Sequence, residues 1–147
     1  MPQTVRFQRV LRAPAERVYR AFTDPEAMVK WLPPHGFTGR VHALDARVGG
    51  EYRMSFTNLS NGQTHAWSGH FVEMRPGERL VHRDRFDDPH LPGEMTTTVV
   101  FKPVSVGTEL QIEQSGIPDP IPAEACCLGW QESLALLALL VEADIPD

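Results

Sequence analysis

The chain has 147 residues, 41% hydrophobic and 22% charged, with a formal net charge of -5. A chain of that length buries roughly two thirds of the surface its unfolded form exposes, enough for one self-sufficient domain over 1–147 without disulfides or a metal. Arg and Lys are scattered, never in a run longer than two, which argues against nucleic acid or an anionic membrane as partner.

The N-terminal segment is interrupted by Arg6, Arg9 and Arg12 and lacks the hydrophobic run of a signal peptide. A soluble, cytoplasmic protein is expected. Thr4 to Leu11 places Val5, Phe7 and Val10 among polar neighbours and reads as a first strand ending at Ala13-Pro14. Pro14 suits the first position of a helix, where its missing amide hydrogen would have no partner. Val18, Ala21 and Phe22 share one face of that helix, which should stop at Asp24 because Pro25 disfavours helical geometry before it. Pro25 opens a second short helix with Met28, Trp31 and Leu32 inward, ended by Pro33-Pro34.

The period then changes to two. Phe37 to Leu44 is a strand, and Tyr52, Met54 and Phe56 alternate with Arg53, Ser55 and Thr57 as a half-buried antiparallel strand should. Gly49-Gly50 before it and Asn61-Gly62 after it supply the positive backbone angles of tight turns. Further strands run over His65 to Met74, Arg79 to Phe86, Met95 to Lys102 and Thr108 to Ser115, separated by Pro76-Gly77, a loop over 87–93, and Gly107. The connections are short, so neighbours in sequence should pair antiparallel. After Pro118, Pro120 and Pro122 comes a long helix in which Trp130, Leu134, Leu137 and Val141 form one stripe. The apolar stretch from Leu134 to Val141 is too short to span a bilayer. Since it is apolar on every face, its back is covered either by the N-terminal helices or by a second subunit in a homodimer.

These residues carry a family resemblance. The segment ArgAlaProAlaGluArgValTyrArgAlaPheThrAspPro at 12–25, Trp31-x-x-Pro34, AspAlaArgValGlyGly at 45–50 and the GlyTrp at 129–130 that opens a leucine-rich helix resemble the SRPBCC (START-like) superfamily. Within it, the chain resembles the bacterial proteins similar to activators of heat-shock protein 90 ATPase. The resemblance implies an α+β helix-grip fold: a curved, seven-stranded antiparallel sheet around a long C-terminal helix, with two short helices between strands 1 and 2. It also implies a range of activities, since the superfamily includes lipid and steroid carriers, polyketide cyclases and aromatases, and small-molecule receptors.

Extending the apolar alternation places Tyr52, Met54, Phe56, Leu80, Phe86, Val99, Phe101, Leu110 and Ile112 on the concave face, and with them the polar His82, Asp84, Thr97 and Gln114. An apolar cavity with a few convergent polar groups is how small-molecule pockets look. Buried polar groups need partners, so these four pair with each other, with water or with a ligand. His82 and Asp84, two apart on a strand, share a face, and with Asp84 orienting it His82 could act as a general base. The plainer reading puts the pair at the cavity rim, partly solvated.

Trp31, Trp67 and Trp130 fall where the fold brings them near the cavity, Trp31 on a segment able to move and admit a ligand. With Leu134 from the long helix they complete the expected ligand wall. The string His82-Arg83-Asp84 mimics a kinase catalytic loop without its companion motifs. The remaining histidines have no metal-ligand spacing, so neither a metal nor a cofactor is expected. Cys126 and Cys127 read as reduced structural thiols, and Asn58-Leu59-Ser60 as a glycosylation pattern that an intracellular chain would not use. The leading expectation is a module binding a small hydrophobic or aromatic molecule. The alternatives are a cyclase-, aromatase- or hydrolase-like enzyme in the same pocket, and a co-chaperone that stimulates a heat-shock ATPase.

Overall fold

The computed structural model describes residues 3–143. Strand β1 (Gln3–Leu11) is followed by helices α1 (Ala15–Ala21) and α2 (Pro25–Trp31), then by β2 (Phe37–Leu44), β3 (Glu51–Asn58), β4 (Thr64–Arg75), β5 (Arg79–Phe86), β6 (Met95–Val104), β7 (Gly107–Ile117) and α3 (Ala123–Val141). The strands form one curved antiparallel sheet in the order β1-β7-β6-β5-β4-β3-β2. From β2 to β7 every strand pairs with its successor. The one long crossover carries the chain from β1, at one edge, through α1 and α2 to β2 at the other. This is the helix-grip arrangement the resemblance implied.

The short helices form where their termini are satisfied. Pro14 stands one position earlier than expected, as the N-cap of α1, its carbonyl accepting from the amides of Arg17 and Val18. Helix α1 ends at Ala21, before Asp24, because Asp24 caps α2 instead: its side chain accepts from Glu26 N at 3.0 Å, and Pro25 occupies the first turn. Trp31 is fully buried, donates from Nε1 to Ala21 O at 2.8 Å and packs its ring edge-on to Phe22 at 4.7 Å. The corner between the helices is thereby pinned.

Turn chemistry differs from the expectation in one respect. Gly49 and Gly62 have positive φ, but Asn61 and Gly50 do not. The loop from Leu59 to Gln63 is five residues long rather than two, so a single left-handed residue suffices, and Asn61 instead accepts Gln63 N on its side chain.

A bulge in β4 between Phe71 and Glu73 lets both Phe71 and Met74, three residues apart, face the core. The core fills the concave side of the sheet. Leu80, Val99 and Ile112 form one row across β5, β6 and β7, and Leu134, Leu137, Ala138 and Val141 of α3 belong to the same buried cluster. Tyr19 of α1 and Phe22, which caps its C-terminus, pack edge-on against Phe101. Helices α1 and α2 both contact α3: Ser133 Oγ donates to Leu32 O at 2.6 Å, and Arg17 donates to Val141 O at 3.1 Å. They cover part of the apolar back of α3, leaving Leu128 and Leu139 exposed. By length and composition alone α3 could cross a membrane, with mean hydropathy 1.4 over its apolar window. Its stripe from Ser133 to Val141 is instead embedded in the core.

Candidate functional site

Where the packed rows stop, a cavity of about 340 Å³ opens between the sheet and α3. It is lined by Met28 and Trp31 of α2 and Leu32 just after it, by Met54, Phe56, Trp67, Phe71 and Phe86 of the sheet, and by Cys126, Gly129, Trp130 and Ser133 of α3. Among the described residues no Lys, Arg or Glu lines it. The size lies at the lower end of the range for small-molecule sites.

The polar groups follow from strand register. His82, Thr97 and Gln114 are direct cross-strand neighbours on β5, β6 and β7, forming one row of the floor. Tyr52, Gly69 and Asp84 form the adjacent row on β3, β4 and β5. All of these side chains except that of Gly69, which has none, line the cavity. The two rows differ in how their polar atoms are satisfied.

In the first row, Gln114 donates to Thr97 Oγ1 at 3.1 Å, and its carbonyl oxygen accepts from Trp130 Nε1 at 3.0 Å and Cys126 Sγ at 3.5 Å. This cluster ties the sheet to α3 with its own atoms. Burial, with a smaller contribution from Cys127, pushes the Cys126 thiol up to about 11.

In the second row, Tyr52 Oη donates to Asp84 Oδ2 at 2.7 Å and lies 2.9 Å from His82 Nδ1. The direct His82–Asp84 separation is 3.7 Å, so Asp84 orients His82 through Tyr52 rather than by touching it. Tyrosine has one hydroxyl proton, and Asp84 receives it. His82 Nδ1–H must then donate to Tyr52, so any acceptor lone pair of this ring lies on Nε2. Burial and, next, the charge and hydrogen bond of Asp84 hold the Tyr52 hydroxyl far above the usual tyrosine value. Asp84 is 6% exposed, and among the described residues its Oδ1 has no hydrogen-bond partner. Asp84 is thus buried, whereas His82 keeps 21% of its side chain accessible.

Gly69 makes this geometry possible. A Cβ there would stand 2.6 Å from Tyr52 Cζ, 2.6 Å from Asp84 Cβ and 2.3 Å from Arg83 O. Without one, the Tyr52 ring reaches across β4 to a residue two strands away.

Of the residues expected at the ligand wall, Trp31, Tyr52, Met54, Phe56, Trp67, His82, Asp84, Thr97, Gln114 and Trp130 line the cavity. Val99 and Leu134 do not: they belong to the packed core beside it. The bridging role of Tyr52 was not foreseen, nor were the contributions of Phe71, Cys126 and Ser133. Among the described residues, no group of three or more His, Cys, Asp or Glu could hold a metal ion.

Comparison with known proteins follows this geometry. The family model described as "Activator of Hsp90 ATPase homolog 1-like protein" matches residues 12–142. The human protein "Activator of 90 kDa heat shock protein ATPase homolog 1" is 31% identical over 116 residues, which takes in 79% of this chain and 30% of that protein. The chain therefore spans less than a third of that relative's length. Among solved structures, a protein from Chromobacterium violaceum is 58% identical with a TM-score of 0.96, covering 98% of this chain and 100% of its own. One from Rhodobacter sphaeroides is 25% identical at a TM-score of 0.81, with 93% and 90% covered. One from Nitrosomonas europaea, 24% identical at 0.78 with 95% and 94% covered, shares the fold.

Proposed function

The chain belongs to the family of activator of Hsp90 ATPase homolog 1-like proteins, and on that premise we propose that it binds a small hydrophobic or aromatic molecule between the sheet and α3. One observation carries the reading: an aromatic-walled cavity in an otherwise close-packed core, with a polar cluster on its floor that is left partly unpaired. The net charge of -5 and the scattered cations favour a soluble protein that engages neither nucleic acid nor an anionic membrane. The test is native mass spectrometry of the protein as purified from its host, followed by denaturing extraction. A reproducible small molecule at one per chain is expected. Empty protein that also fails to bind any aromatic or acyl compound by tryptophan fluorescence would end the reading.

The lone pair on His82 Nε2 favours a second use of the same pocket, in which His82 takes a proton from an acidic carbon or a bound water, as a cyclase or hydrolase requires. Recovery of an altered ligand, lost with His82→Ala, would select it. The family name motivates a third reading, stimulation of a heat-shock ATPase. Since the chain covers 30% of the human relative, it stands or falls on an ATPase assay with the purified chaperone.

A further inference from the structure

Resting on the cavity being a ligand site, we propose that its occupant carries an amine: an apolar or aromatic body in the cavity, with an ammonium head directed at the carboxylate of Asp84. The acceptor side of the site is under-used. Among the described residues Tyr52 alone donates to Asp84, through Oδ2, and Oδ1 is buried without a partner. A buried carboxylate is ordinarily neutralised by a cation or by several donors. Here, among the described residues, no Lys or Arg lines the cavity, His82 Nδ1 stands 3.7 Å from Asp84 Oδ2 and gives its hydrogen bond to Tyr52 instead, and His65 lies exposed toward the solvent end of β4. The floor therefore presents acceptors to whatever enters. The head that matches is one with several donors and a positive charge, a kind of group that aromatic rings such as the lining Trp67, Phe71 and Phe86 also attract. Oδ1 is shielded from water in the present rotamer, and a small turn of the carboxylate about χ2, a soft torsion, offers it to the head. The same floor rejects carboxylate ligands, whose charge would be buried beside that of Asp84 with nothing between them.

The test uses three probes with one tail and different heads, phenylbutylamine, phenylbutanol and phenylbutyrate, titrated into the full chain by tryptophan fluorescence and calorimetry. The amine should bind tightest, by roughly tenfold or more over the carboxylate, as charge-assisted pairing predicts. In Asp84→Asn that preference should collapse while the tail still binds. The overall negative charge of the protein would favour amines in both forms, so the comparison isolates the cavity. Tyr52→Phe keeps the carboxylate and removes its donor, so it should retain or strengthen the preference and also covers an Asp84 variant that fails to fold. Equal binding of all three heads, preference for the carboxylate, survival of the amine preference in Asp84→Asn, or its loss in Tyr52→Phe would overturn the inference and leave the cavity as a site for apolar molecules. Failure of every probe to bind would overturn the inference together with the ligand-site reading.

Discussion

Gly69→Ala should destabilise this protein severely, against the ordinary trend. Replacing a strand glycine by alanine usually adds about 0.4–1 kcal/mol of stability by restricting the unfolded chain. At Gly69 the new methyl would meet Tyr52 Cζ and Asp84 Cβ at 2.6 Å and the Arg83 carbonyl at 2.3 Å. Ordinary carbon contacts begin at about 3.5 Å, so each neighbour must retreat by roughly 1 Å. The carbonyl belongs to the sheet and yields least, so the side chains move, and the 2.7 Å bond from Tyr52 to Asp84 is lost. Overpacking costs about 1–3 kcal/mol. Stripping a buried carboxylate of its tyrosine donor adds about 1–3 kcal/mol. The expected loss is about 4 kcal/mol.

With an unfolding entropy of about 2.1 cal/mol/K per residue, a chain of 147 residues gives up about 3 °C of Tm for each kcal/mol, so Tm should fall by about 12 °C. Circular dichroism melts of wild type, Gly69→Ala, Tyr52→Ala and the double variant close a cycle. Removing the ring should relieve part of the clash, so the glycine substitution should cost less in the Tyr52→Ala background. A Tm change under about 2 °C, or strictly additive effects, would refute the account of Gly69 as the spacer between the two side chains.

Other consequences are as direct. Tyr52, Tyr19 and Cys126 all have folded pKa values raised above their ordinary ones, so the native state holds protons that the unfolded chain releases. Their contribution is complete at neutral pH and declines as pH rises above about 9, the unfolded thiol and phenol range. Urea titrations from pH 7 to 11 should show this alkaline decline, shallower in Tyr52→Phe. The Cys126 thiol, at about 11, should react with iodoacetamide at pH 8 roughly two orders of magnitude more slowly than free cysteine, as peptide mapping would register. Trp31→Phe keeps an aromatic ring in the corner but leaves Ala21 O without its side-chain donor, which should cost about 1–3 kcal/mol in a denaturant melt. Gln114→Ala strands the Trp130 indole and should lower Tm by about 3–9 °C, yet leave any amine preference intact because Gln114 is spent on the fold.

The alternation of residues was enough to read the strands and their inward faces. Tyr52, Met54 and Phe56, like Leu80, His82, Asp84 and Phe86, face the side the period of two assigns, because one face of an antiparallel sheet must be buried and a slip of one residue would expose it. What a strand's own sequence does not encode is who stands opposite. Register across β3, β4 and β5 depends on two loops and a bulge, and it alone reveals that Tyr52 faces Asp84 over a glycine. The end of the cavity was hidden for a similar reason. Val99 shares its face with Thr97, but its row, with Leu80 and Ile112, lies within the packed core, whereas the row of Thr97 lines the opening. Leu134 likewise lies on the helical stripe with Trp130 but one turn deeper.

The two polar rows on the floor make different demands on the molecule. Gln114, Thr97 and Trp130 satisfy one another, so their polarity is explained by the attachment of α3 to the sheet and would be needed in an empty protein. Asp84 cannot be explained that way. Replacing it by an apolar residue would remove a desolvation cost and, with Tyr52→Phe, leave only the Nδ1–H of the partly accessible His82 without its partner, since buried polar pairs are often exchangeable for hydrophobic ones without loss of stability. A carboxylate that burdens the fold, held in place by Tyr52 across a glycine whose only visible purpose is to let them meet, is better accounted for by what enters the cavity than by what surrounds it. The same reasoning sets the order of experiments: the Asp84 and Tyr52 variants should first be compared for stability, because a double variant more stable than wild type would mark the pair as retained for the ligand.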